Sequence, residues 1–390
     1  MHGALKRNAL RTELDRKRSY GSAMRFSWTD VCARRLAQHG LSTPLDASPA
    51  EVVSAMAGTH AQVISAAELS IALRINGATR ADVQRADGLV RTFGPRGTVH
   101  LLPADELPLW LGALSAIPPG PTSWDEHVRM TGEQTEQVLA AIGEALDGKE
   151  LTIDELTAAL AESVGPWAVD RVMPAFQDLW PRWRTVTHLA GIRGVLCFGA
   201  NRGRKVTYTN PGVTPAPAHE SLPHVVRSYL RAYGPSTPQR FAHWLSAPVK
   251  WATEVFASVD LEQVDVEGET AWILAGDTAV PEPVECVRLL PYFDGYAYRV
   301  GNQPPALLYP GKASERVLPQ NFQYLVVNGA VAGLWHQRKS GRKLAITVET
   351  LLKLGKRQRA ELDEQAQRVG EIVGATPALT LGAVTVGGHA

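Results

Sequence analysis

A chain of 390 residues, 45% apolar and 20% charged, is long enough for about two to four domains that each bury a core. Its composition is that of a globular protein, not a fibrous or disordered one. The formal net charge of +1 conceals a segregation: residues 101–179 hold fourteen acids against three bases, residues 181–250 ten bases against one acid, and residues 336–359 eight bases against one acid. A polyanion would therefore meet two basic surfaces.

Cys32, Cys197 and Cys286 stand far apart with no Cys-x-x-Cys pair, which argues against a zinc site and a disulfide framework and predicts a reducing, cytoplasmic setting. No apolar run approaches the roughly 18 residues of a membrane span. Residues 1–24 read as a disordered basic extension with Lys6, Arg7, Arg16, Lys17 and Arg18, and Met24 is a second candidate start.

From residue 25 one order of elements recurs. In the first unit, 25–118, Thr29 to Gln38 reads as a helix. Ser48-Pro49-Ala50-Glu51 supplies an N-cap, a first-turn proline and a capping-box carboxylate. A second box, Ser65 to Glu68, is expected to open a helix through Leu73 and Ile75. Leu89 to Phe93 and Thr98 to Leu102 then flank Gly94-Pro95-Arg96-Gly97 as a hairpin. The second unit, 119–215, begins a helix at Thr131 and has a capping box from Thr152 to Glu155. An amphipathic stretch broken at Pro174 and Pro181 follows, then a hairpin from Gly194 to Thr209 tipped by Arg202, Arg204 and Lys205. The third unit, 216–280, turns at Gly234-Pro235-Ser236-Thr237-Pro238 into a helix, starts another near Pro248, and closes on a hairpin around Glu267-Gly268-Glu269. Residues 281–390 are rich in strand-like runs and end in a helix from Leu362 to Val373.

Helix, helix, hairpin in series predicts an α+β chain: three tandem winged helix-turn-helix modules, then a β-rich C-terminal region and a terminal helix. Such modules set a helix in a DNA groove while wing residues hold phosphate. Arg96 on the first hairpin, the cluster at 202–205, and Arg338, Lys339, Arg342 and Lys343 around Ser340-Gly341 are the candidate phosphate contacts. His219-Glu220-Ser221-Leu222-Pro223-His224 has the wrong spacing for a zinc-binding helix and contains a helix-breaking proline. There is no phosphate loop and no nucleophile elbow, and the ten tryptophans sit mostly among apolar neighbours, where core packing is their ordinary role.

Several segments occur in an order shared with one known family. They are Gly58-Thr59-His60-Ala61-Gln62-Val63-Ile64-Ser65-Ala66-Ala67, Arg96-Gly97-Thr98-Val99-His100-Leu101, Tyr233-Gly234-Pro235-Ser236-Thr237, Leu290-Pro291-Tyr292-Phe293-Asp294 and Asn328-Gly329-Ala330-Val331-Ala332-Gly333-Leu334-Trp335. Together they span nearly all of the chain beyond Met24. The sequence resembles the AlkZ-like DNA glycosylases, tandem winged-helix enzymes of the azinomycin-resistance type known from actinomycetes. The family motif is glutamine, aliphatic, glutamine; here it is His60-Ala61-Gln62, a histidine variant.

The resemblance implies a monofunctional DNA glycosylase that hydrolyses the N-glycosidic bond of alkylated purines in duplex DNA. N7-alkylguanine, bulky natural-product adducts and interstrand crosslinks are the implied lesions, and the product is an abasic site. It implies a role in DNA repair or genotoxin self-resistance, carried out by a monomer without cofactor or metal that associates with the nucleoid when bound to DNA. His60 and Gln62 would be catalytic. On an extended segment a two-residue spacing puts both side chains on one side, where an amide and an imidazole could share one water. Asp294 could stabilise the sugar cation or make a structural hydrogen bond. His100 reads as a packed strand histidine near the first hairpin. The rival readings are a non-enzymatic winged-helix transcriptional regulator, which binds an operator without releasing a base, and an interaction scaffold with little salt-dependent affinity for DNA.

Overall fold

The computed structural model describes residues 24–120, 124–175, 178–297, 303–317 and 321–386. The disordered extension expected at the N-terminus lies outside these residues apart from Met24.

Local signals set most of the first stretch. Ser27 and Ser48 each close a capping box, with Asp30 and Glu51, and open helices Trp28–Gln38 and Pro49–Ala55. The helix Ile64–Ala72 follows, but its N-cap is Val63, without a side-chain bond. The expected Ser65–Glu68 box does not form, because Glu68 is buried and bonded to Arg80 and Gln84. Strands Leu89–Phe93 and Val99–Pro103 make the expected hairpin, and Thr59–His60 pairs antiparallel on the far side of the second of these.

Thr131 and Thr152 likewise cap Gly132–Leu146 and Ile153–Ser163 through capping boxes. The stretch after them, expected as amphipathic and broken at Pro174 and Pro181, takes another form. Arg171–Pro174 and Leu179–Pro181 form a two-stranded ribbon, with both prolines at strand ends, where a missing donor costs least. A short helix, Thr187–Ile192, and the small sheet of Leu151–Thr152, Thr207–Thr209 and Cys197–Phe198 complete a core around Trp183, Ile142, Leu156 and Leu160.

Next comes the long helix Ala218–Tyr233. Pro223, expected to break a helix, lies inside it. His219, whose carbonyl loses its donor there, sits in an exposed first turn where water can replace the bond. Helices Pro238–Leu245 and Val249–Ala257 lead to the hairpin Leu261–Val266/Glu269–Leu274. The outer edge of that hairpin is covered by Arg25–Phe26, pairing parallel, so Phe26, Trp28 and Val31 share a core with Val264, Val266 and Ile273.

The C-terminal region is a five-stranded sheet in the order Val287–Leu290, Gln323–Val327, Ala330–Ser340, Lys343–Thr350, Thr376–Leu381. The first four strands run antiparallel and the last, unforeseen from sequence, parallel to its neighbour. The terminal helix, Lys356–Val373, starts before the expected Leu362 and packs against the sheet. Val52, Met56, Leu69 and Ile71 of the first stretch join Val287, Leu325, Trp335, Ile346 and Val369 of this region in one apolar cluster. The two ends of the chain are thus built on a common core.

Candidate active site

The segment that carries His60 and Gln62 is held by backbone geometry. Gly58, at φ +89°, turns the chain out of the helix Pro49–Ala55 into strand Thr59–His60. His60 pairs with His100, and Ala61 N–H donates to the Val99 carbonyl at 2.7 Å, which extends the ladder by one residue. Arg91 donates to the Ala61 carbonyl at 3.2 Å, with its guanidinium 4.5 Å from the centre of the Phe198 ring. The strand then ends. Gln62 lies exposed in the bend before the next helix, whereas His60 is only 7% exposed. The strand alternation that would set both side chains side by side therefore stops at Ala61.

Two rings pack on His60. His100 stands edge-on at 5.3 Å and Phe293 lies at 4.7 Å between centroids. Burial, helped by the charge of Arg96, lowers the His60 pKa to about 4. His100 Nδ1 donates to the Thr98 carbonyl at 2.9 Å, which fixes the proton on that nitrogen because a carbonyl can only accept. Burial, then His60 and Arg96, hold His100 well below its ordinary value. Near neutral pH both imidazoles are uncharged. An imidazole with a pKa near 4 is a weak base, suited to orienting a water rather than stripping it of a proton.

Asp294 does not face solvent. Its oxygens receive Arg74 Nη1 at 2.9 Å, Arg74 Nη2 at 2.7 Å, Ser70 Oγ at 2.5 Å and the Tyr296 backbone N–H at 3.0 Å. Both side chains of the ion pair are fully buried. Burial alone would raise the Asp294 carboxyl; the charge and hydrogen bonds of Arg74 outweigh it and hold the group ionised. With all this capacity taken, Asp294 has the contacts of the structural alternative, a buried hydrogen-bonded anchor. It fastens the turn at Phe293, which has φ +60°, to the helix that follows the His60 segment.

The candidate phosphate contacts fall in three places. Arg338, Lys339, Arg342 and Lys343 are exposed at the tip of the hairpin Ala330–Ser340/Lys343–Thr350. Beneath that hairpin runs a groove of about 280 Å³, walled by Val63, Ser65 and Ala66 on one side and His336, Gln337 and Lys339 on the other. The basic hairpin and the residues just after Gln62, far apart in sequence, thus face each other. Arg202 and Lys205 are elsewhere and tied down within their own unit, Arg202 to Glu155 at 2.9 Å and Lys205 to Asp154 at 3.1 Å. Arg204 beside them is exposed. Arg96 is turned inward: its φ is +61° and its Nη1 donates to the Trp244 carbonyl at 2.7 Å. The first hairpin tip is wedged at a cleft of about 890 Å³ lined by His188, Leu189 and Leu245.

Sequence reasoning passed over Arg91, Arg74, Tyr292 and Phe293 as site residues. The two aromatics lay in a quoted motif, but nothing local marks either arginine. Among the described residues no group of three or more His, Cys, Asp or Glu could hold a metal ion, and no helix is long and apolar enough to cross a membrane.

Most of the chain, this segment included, is similar to enzymes that release bases from DNA, the DNA glycosylases. Residues 53–372 match the family described as DNA glycosylase AlkZ-like, and the chain belongs to that family. It is 34% identical over 339 residues to the interstrand DNA cross-link repair glycosylase of Streptomyces sahachiroi, covering 80% of this chain and 88% of that protein. The solved structure of Streptomyces sahachiroi DNA glycosylase AlkZ superposes with a TM-score of 0.77 at 30% identity, over 92% of this chain and 100% of the other.

Proposed function

We propose that this glycosylase hydrolyses the bond between deoxyribose and N7-alkylguanine in duplex DNA, and that bulky adducts and crosslinks of the kind named for its relative are among its substrates. The observation that carries the reading is the neutral, buried His60 and the exposed Gln62, followed directly by Val63 and Ser65, which line a groove together with Lys339 of the basic hairpin. Alkylation at N7 makes the base cationic. When the C1′–N9 bond breaks, its electron pair neutralises that charge, and the purine leaves without needing an acid. Water adds its oxygen to C1′ and gives up a proton to solvent, leaving an abasic site. The protein need only orient the water and tolerate a developing oxocarbenium ion. A carboxamide and an uncharged imidazole suit that task. The segments 25–118, 119–215 and 216–280 serve as winged-helix modules that clasp the duplex. Arg338, Arg342 and Lys343 grip phosphate, with Arg204 a further contact and Lys339, Arg96, Arg202 and Lys205 engaging once their internal partners are exchanged for DNA.

The test is base release from a duplex containing 7-methylguanine, read by alkaline cleavage of abasic sites, for wild type and Gln62→Ala. Release by the wild type that falls by about 10²-fold or more in the variant, with DNA affinity retained, is expected. Release unchanged by the substitution would remove Gln62 from the site, and binding without release by the wild type would point instead to a regulator.

A further inference from the structure

Phe293 and Tyr292 are consecutive but do different things. Phe293 is 6% exposed and packs on His60. Tyr292 is half-buried, 6.2 Å from Phe293 between ring centroids, and forms part of the wall of the groove beneath the basic hairpin. One dipeptide, fixed through the buried Asp294–Arg74 pair, therefore spans from the imidazole of His60 to the groove beside Val63 and Ser65.

None of the groove's lining residues is a carboxylate; of its two cations Arg80 is paired with Glu68, and Lys339, which keeps its charge, directs its ammonium to the Val373 carbonyl at 2.5 Å. The groups that could favour a positive charge there are the Tyr292 ring and the side-chain oxygens of Gln323 and Gln337. At about 280 Å³ it is near the lower end of small-molecule sites, roughly 300 Å³, so it fits one base and its alkyl group rather than a whole crosslink.

We infer that Tyr292 determines specificity by laying its ring against the alkylated purine and recognising its positive charge through a cation–π contact. The inference rests on the N7-alkylguanine reading above. An aromatic face stacks on any base, and attracts a delocalised cation more strongly than the neutral base of the same shape, so the added affinity reports the charge. The contact also weakens as the base departs neutral, so it favours binding of the lesion and does not hold the product.

Two duplex probes separate charge from shape. One carries 7-methylguanine on a 2′-fluoroarabino sugar, cationic and slow to hydrolyse; the other carries 7-methyl-7-deazaguanine, neutral and of the same outline. The wild type is expected to bind the first more tightly by about 2-fold to 30-fold. Tyr292→Phe should keep that ratio. Tyr292→Leu should bring it to one, with unchanged affinity for undamaged duplex and an unchanged melting temperature. Fluorinated phenylalanines at position 292 should lower the ratio stepwise as the ring loses electron density. A wild-type ratio of one, or a ratio that survives Tyr292→Leu, overturns the inference. A charge preference without base release would overturn the hydrolysis reading and leave the role of the ring standing; release without preference would do the reverse.

Discussion

Truncating Asp294 to alanine removes the one acid that, among the described residues, contacts Arg74, and strands a guanidinium whose side chain is fully buried. Breaking such a pair from one side costs about 3–5 kcal/mol, because the remaining charge keeps its desolvation cost and loses its partner. Arg74 Nε already lacks an acceptor, and Arg74 Nη1 would retain only the Ser70 carbonyl and hydroxyl, at 2.8 and 3.1 Å. At roughly 2–4 °C per kcal/mol, the melting temperature of the unit containing this core should fall by about 10 °C. Scanning calorimetry would read that loss, and single-turnover base release at 20 °C would read the site. Release should fall at least severalfold even where the variant remains folded, since the Phe293 turn then loses the ion pair that ties it to Ser70 and Arg74. Replacing both partners by leucine should recover most of the melting temperature without recovering release. A drop below 2 °C in Asp294→Ala, or full release in the double variant, would refute the argument that this buried pair sets the turn.

Other outcomes follow from the same structure. Burial, with Arg74 and Arg35, lowers His39 to about 3, and burial with Arg96 lowers His60 to about 4, both from 6.5. The unfolded chain therefore takes protons first as pH falls below 6.5. Stability is complete above that value and declines down to the folded-state values. Between pH 7 and 5 each histidine should remove about 2 kcal/mol, visible as a falling urea midpoint; His60→Asn should show a shallower decline by that amount. Over the same interval the release rate should stay nearly flat, because His60 is uncharged throughout; a rate tracking a group near 6.5 would contradict its buried state. Arg338→Ala with Arg342→Ala should lower the slope of log affinity against log salt by about 2, whereas Arg202→Ala, whose side chain already serves Glu155, should change it by less than about 1 in fluorescence anisotropy titrations. Gly94→Ala would set a Cβ 2.6 Å from His100 Cγ and push that ring toward His60, so it should cut release more than it cuts duplex affinity.

What the sequence made legible was local. Ser48, Thr131 and Thr152 announce their helices because a capping box closes within four residues. Ser65-x-x-Glu68 has the same spelling but fails, because Glu68 is claimed by Arg80 and Gln84. The hairpin around Gly94 is equally local, as is the basic turn at Ser340-Gly341. The ribbon Arg171–Pro181 escaped notice because prolines 174 and 181 read as breaks, although strand ends tolerate them. Thr376–Leu381 escaped because, largely exposed, it lacks the buried alternation that marks a strand.

For the site, the His60–Gln62 segment stood out only through a family likeness. The role of Asp294 depends on Arg74, 220 positions away. Charge counting also misses tertiary pairing: Arg202 and Lys205 look free in sequence and meet Glu155 and Asp154 about fifty residues upstream. No periodicity encodes such pairs.

The shared core of residues 52–101 and 287–372 has a consequence for how the protein is made. Ribosomes deliver the N-terminal side first, at about 5–20 residues per second, so Val52, Met56, Leu69 and Ile71 wait on the order of tens of seconds for the sheet and terminal helix they are to touch. During that interval an apolar face is open to chaperones or to aggregation. A nascent chain already holds His60 and Gln62, but not the surface against which their segment is braced. The segment that carries His60 and Gln62 thus gains its full support only once synthesis is nearly finished.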